Sequence, residues 1–271
     1  MKIVIWCCDA PNQIALCQKV NKQFTVVGIV AERKKVKREF TVATFIKKVF
    51  DRIKFSSISH AWFGMLAYYK RNYSSYPEVP LLIVENINSK ETIDFTSKFM
   101  PDVIMVSGTR MIREALLNVP AQKGIINLHT GLSPYVKGGP NCTNWCIAND
   151  KLHLIGNTIM WIDKGIDSGN IITTETVGFS GEETLLEVHI KVMNAAHSLY
   201  LKALDCLEKK PEACPNIVQN TIEREGELFK NNMWNSQAKK RLLNNFKKFR
   251  QNILSESYEK ERTKIKLIKL E

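Results

Sequence analysis

The chain has 271 residues, 39 Lys and Arg against 27 Asp and Glu, a formal net charge of +12 and 44% hydrophobic side chains. This is the composition of one large folded domain or two small ones, neither disordered nor fibrous. No run approaches the roughly eighteen apolar residues of a membrane span, and residues 1–6 are too short an apolar stretch for a signal peptide.

Residues 2–6 instead read as a first strand, and residues 25–30 as a second. Between them, residues 14–20 (IALCQKV) suit an amphipathic helix. Such a βαβ opening predicts a parallel sheet. Residues 34–78 mix aromatic and basic side chains at near-helical spacing, predicting helices over the sheet as an elaborated substrate-binding region. Residues 80–84 and 102–106 repeat the strand pattern, with a helix expected over 89–99. Ser89 is its expected N-cap, and Thr92 stands where a capping box has Glu, so half of that signal is present. Residues 124–129 are a further strand, followed by a loop rich in Gly and Pro over 130–140. Residues 156–162 and 170–177 are expected as antiparallel partners. Apolar residues at Leu185, Val188, Val192, Ala196, Leu199, Ala203 and Leu207 mark a long helix over 182–207, which Pro211 stops. Beyond it the sequence offers one short strand signal and a basic helix over 236–254.

The charge is local. Residues 32–54 carry nine basic and three acidic side chains, and residues 230–270 twelve and three, leaving the rest slightly acidic. Basic runs gain affinity for phosphates by releasing counterions, although a solvated surface face is the plainer reading. The seven cysteines are odd in number and scattered, with no CxxC pair. That pattern argues against a disulfide framework or a metal site and for a reducing cytoplasm. The first strand runs into Cys7-Cys8-Asp9-Ala10-Pro11, not Gly-x-Gly-x-x-Gly, and there is no Walker loop. Dinucleotide binding of the usual kind is therefore disfavoured, and ordinary nucleotide chemistry is excluded.

Asn127 and His129 alternate along one strand, so both project to one side, at the carboxyl end where open α/β sheets place ligands. The loop Asp163-Lys164-Gly165-Ile166-Asp167-Ser168-Gly169 permits tight turns between two strands and can bring Asp167 to face that pair. An amide, an imidazole and a carboxylate suit acyl transfer, with donors for an oxyanion and a His–Asp pair for protons. Taken singly, Asn-x-His can equally be a hydrogen-bonded structural pair and the Asp-Gly segment a mere hairpin loop. No serine or cysteine stands obviously beside His129, so no covalent triad is indicated. Cys142 is the nearest nucleophile in sequence and reads as a small buried residue.

Combined and in this order, the motifs of residues 125–172 closely resemble the formyltransferase family. The matching features are the Asn-x-His strand, the Leu132-Ser133-Pro134 loop and the closing Asp-x-Gly-x-Asp-x-Gly segment. A weaker likeness extends over residues 1–207. The resemblance implies an α/β fold: a Rossmann-like, mostly parallel sheet with helices on both faces, followed by a small hairpin-plus-helix subdomain. It divides the chain into a catalytic domain over 1–207 and the subdomain over 208–271. It implies N10-formyltetrahydrofolate as formyl donor, no metal, and Asn127, His129 and Asp167 as the catalytic residues. The donor would be held by Ser107-Gly108-Thr109-Arg110-Met111-Ile112 together with Asp163, Gly165 and Ile166. On its residues alone, the 107–112 segment is only a strand-to-helix turn.

The family's tRNA branch carries a C-terminal β-barrel, for which the sixty or so residues after Leu207 are too few beside a basic helix. Residues 226–235 look instead like the hairpin of sugar N-formyltransferases, which often helps build a dimer. Trp234 is then either an interface anchor or a packed core residue. The resemblance thus implies a nucleotide-linked amino-deoxysugar as acceptor and surface polysaccharide synthesis as the context. Lys137, Gly138 and Asn141 would be on the acceptor side, with basic residues of the 33–38 stretch against the diphosphate. Methionyl-tRNA formylation is the runner-up, and hydrolysis of formyltetrahydrofolate a third reading. A non-catalytic RNA-binding protein is the alternative from another class.

Overall fold

A computed structural model describes residues 1–35, 53–224 and 226–270. The expected helices over 36–52, and Lys37 and Arg38 as phosphate contacts, lie outside the described residues. The chain runs β1 (Lys2–Cys8), α1 (Pro11–Asn21), β2 (Thr25–Glu32), α2 (Ser56–Asn72), β3 (Leu81–Val84), α3 (Lys90–Ser97) and β4 (Val103–Ser107). It continues through α4 (Glu114–Leu117), β5 (Ile125–His129), β6 (Val136–Gly138), α5 (Cys142–Ala148), β7 (Gly156–Trp161) and β8 (Ile171–Thr176). The tail comprises α6 (Leu185–Lys209), β9 (Glu227–Phe229), α7 (Ser236–Phe246), α8 (Phe249–Ile253) and α9 (Glu256–Thr263).

Seven strands form one sheet in the order β3-β2-β1-β4-β5-β7-β8. The first five are parallel, and β7 and β8 add antiparallel, as expected. Strand order reverses between β1 and β4, where open α/β sheets bind ligands at the carboxyl ends. Alternation along β1 splits its side chains between two cores. Ile3 and Ile5 pack with Leu16 and Val20 of α1 and with Ala196, Tyr200 and Leu204 of α6. Val4 and Trp6 face the opposite side, with Ile87, Ile112 and Leu116. Trp6 Nε1 also donates to Thr96 Oγ1 at 3.0 Å, tying β1 to α3.

Local signals fix several helix starts. Pro11 opens α1 at a position that needs no N–H. Ser89 caps α3 as expected, accepting from the Thr92 N–H. The long helix begins at Leu185, not residue 182, because Thr184 and Glu187 form a full capping box.

The tail departs from expectation twice. It forms no hairpin among its described residues: β9 is a single short strand that pairs in parallel with β6. The basic helix breaks after Phe246, and α8 brings Phe249 and Ile253 into the core, followed by an unforeseen α9. No Gly or Pro marks that break. Burial of those two side chains together with Leu132, Trp145 and Val188 accounts for the turn. Trp234 is half-buried, its ring edge-on to Trp145 at 4.9 Å between centroids. The last residues cover the β8 edge, the Thr174 N–H donating to the Ile268 carbonyl at 2.8 Å.

Candidate active site

A cavity of about 850 Å³ opens at the carboxyl ends of β1, β4 and β5. Asn127 and His129 both line it, as the two-residue period of a strand requires. The loop joining β7 to β8 supplies Asp167. Its Asp163 carboxylate accepts from the Gly165 N–H at 2.9 Å and the Ser168 hydroxyl at 2.7 Å, folding the loop on itself. Asp167 has φ +48°, a left-handed conformation that Asp tolerates better than most residues. Its Oδ2 stands 3.4 Å from His129 Nδ1 and accepts the Gly138 N–H at 2.9 Å. Gly138 has φ +85°, and a side chain there would collide with the Phe229 carbonyl of β9.

The other ring nitrogen of His129 faces the Val136 carbonyl at 3.2 Å. A carbonyl only accepts, so Nε2 carries a proton. Burial is the largest influence and works against an imidazolium, but the Asp167 carboxylate and the Cys142 and Val136 contacts together outweigh it, and the pKa rises to about 10. The Asp167 carboxylate thus favours the imidazolium form of His129. Cys142 is 2% exposed, with Sγ 3.5 Å from His129 Nε2 and its S–H directed to the Gly138 carbonyl at 3.4 Å. Burial raises its thiol pKa despite the facing imidazole. The residue is buried as its sequence suggested, but it touches the histidine, a contact that sequence spacing does not reveal.

Every expected donor-side residue lines the cavity: Ser107, Gly108, Thr109, Arg110, Met111, Ile112, Asp163, Gly165 and Ile166. Gly138 and Asn141 line it too, whereas Lys137 is not among the lining residues. Of the described residues of the 33–38 stretch, Lys34 lines the cavity. It also pairs with Glu32 at 3.6 Å, while Arg33 pairs with Asp9 at 2.6 Å and Lys35 with Glu85. Sequence reasoning missed Asn12, Gln13, Trp62, Lys230 and Asn231, which line the same cavity from α1, α2 and the tail. It also missed Gln219, whose Nε2 donates to the Asp167 and Gly169 carbonyls, both at 2.8 Å. Only the position of Asn12 and Gln13 just after β1 was a usable signal. Among the described residues no group of three or more His, Cys, Asp or Glu is placed to hold a metal ion.

Residues 8–204 match the family described as Formyl transferase. The methionyl-tRNA formyltransferase of Clostridium tetani is 30% identical over 139 residues, which is 51% of this chain and 41% of that protein. The chain thus spans less than half the length of that relative. A 4-N formyltransferase from Francisella tularensis superimposes with a TM-score of 0.57 at 18% identity, covering 90% of this chain and 87% of that one. The N-formyltransferase from Helicobacter canadensis, in complex with folinic acid and dTDP-3-aminofucose, gives 0.58 at 14% identity, covering 91% and 81%. With most of the chain matched, the protein belongs to the formyl transferase family.

Proposed function

We propose that the protein moves the formyl group of N10-formyltetrahydrofolate to the amine of a dTDP-, UDP- or GDP-linked 3- or 4-amino sugar, in surface polysaccharide synthesis. In this reading residues 1–207 carry the chemistry, the tail over 208–271 completes the acceptor side, and the enzyme works as a cytoplasmic homodimer. The observation that carries it is the meeting of Asn127, the His129–Asp167 pair and the 107–112 loop in one cavity. The Asn127 amide and the His129 imidazolium are donors for the oxyanion that forms when an amine attacks the formyl carbon. His129 hands its proton to the departing folate nitrogen, and the attacking amine returns one, so the site ends as it began. Asp167 keeps the imidazole charged and oriented.

For the acceptor, Trp62 offers a flat apolar face, and Lys34 and Lys230 offer charge for phosphates within the same cavity. A structural neighbour holds folinic acid and dTDP-3-aminofucose together, which favours this class. Methionyl-tRNA formylation is the second reading, favoured by the sequence relatives.

Incubation of the protein and N10-formyltetrahydrofolate with nucleotide amino sugars and with charged initiator tRNA separates the two. A formylated amino sugar, detected by mass spectrometry, is expected. Formylation of the tRNA alone, or release of formate alone, contradicts the sugar assignment.

A further inference from the structure

Glu32 ends β2, and its carboxylate is fully buried, at 0% side-chain exposure. A buried carboxylate persists only where donors surround it. Here the donors are the Ile87 N–H and the Arg110 N–H, each at 3.0 Å, and the Arg110 guanidinium adds an ion pair, with Lys34 farther off at 3.6 Å. Two of these partners belong to one residue of the 107–112 loop. The same guanidinium donates to the Glu85 carbonyl at 2.9 Å. Asn88 adds a second fastening: its Nδ2 donates to the Met111 carbonyl at 3.0 Å, and its Oδ1 accepts the Arg113 N–H at 2.7 Å. The loop is therefore pinned to the ends of β2 and β3 through both backbone and side chain. Neither Glu32 nor Asn88 lines the cavity, while all of residues 107–112 do.

We infer that Glu32 and Asn88 are positioning residues for the formyl donor: they preset the 107–112 backbone that recognises the pterin without touching it. The inference rests on the donor reading above. A heterocycle with fixed donors and acceptors binds tightly only to backbone groups already held in place, because a loop that must order on binding loses affinity. The Glu32 charge holds Arg110, and Asn88 fixes the next turn.

Folinic acid binding, measured by calorimetry, and steady-state kinetics test this on Glu32→Gln and Asn88→Ala. Both variants are expected to raise the folinic acid Kd and the donor KM about tenfold, the loss of one hydrogen-bonded anchor. The kcat at saturating donor should stay within about twofold and the acceptor KM should not move, a split that general destabilisation does not produce. If Glu32→Gln does not fold, Asn88→Ala decides alone, since that side chain is half-buried and carries no charge. Folded variants that bind folinic acid as tightly as the wild type overturn the inference. Failure of the wild type itself to bind folinic acid overturns the donor reading, and the inference with it.

Discussion

His129 is the residue on which the chemistry turns. Its pKa rises from an ordinary 6.5 to about 10 because the Asp167 carboxylate and the Cys142 and Val136 contacts together outweigh the cost of burial. A raised folded-state pKa means that the pairing stabilises the fold fully below pH 6.5 and is lost as pH climbs towards 10. Asp167→Asn should therefore remove that window: its melting temperature should fall less between pH 7 and pH 10 than that of the wild type. The basic limb of kcat/KM, expected near pH 10 in the wild type, should move to lower pH in the same variant. An unshifted limb contradicts the assignment of His129 as the essential acid. The chemical pair was legible in the sequence, because Asn127 and His129 sit two apart on an apolar strand. Its charge state was not, since that depends on Asp167 arriving from a separate loop.

At the scale of elements, the site is held by groups that lie far from it in the chain. Gln219, 5% exposed, ties the backbone of the Asp167 loop to the tail. Gln219→Leu removes both bonds, and kcat is expected to fall about tenfold with the donor KM steady. An unchanged kcat shows that the loop holds Asp167 without it. Beneath the site, the fully buried Tyr200 hydroxyl of α6 accepts the Val106 N–H and contacts the Val106 and Ile126 carbonyls, joining β4 to β5. Tyr200→Phe should cost about 1–3 kcal/mol in urea unfolding, since it leaves buried backbone groups unsatisfied. The strands were readable because runs such as residues 103–106 bury nearly every side chain. The β6–β9 pairing was not, because partners far apart in sequence leave no local periodicity. Glu32 was hidden for a similar reason: it heads a basic run and looks solvated until Arg110 is brought to it.

For the whole molecule, the positive charge divides into stretches whose described members are partly neutralised in place. Arg33, Lys34 and Lys35 each meet a carboxylate, and in the tail Arg250 meets Glu182 while Lys264 meets Glu261 at 2.6 Å. Among the described residues, Lys34 and Lys230 are the lysines that line the cavity. A diphosphate acceptor should accordingly show a KM that changes only a few-fold between 50 and 200 mM salt. An acceptor gripped through six or more phosphates loses on the order of a thousandfold over that range. A steep slope shifts the balance to tRNA.

Transfer of a carbon-13 formyl label from N10-formyltetrahydrofolate to the acceptor amine, followed by mass spectrometry for wild type and Asn127→Ala, is the most direct measurement. The label should appear on the nucleotide amino sugar with the wild type, and the rate should fall about a hundred- to a thousand-fold in the variant, the cost of one oxyanion donor. Label retained on the folate, or transferred by Asn127→Ala at the wild-type rate, contradicts formyl transfer at this site.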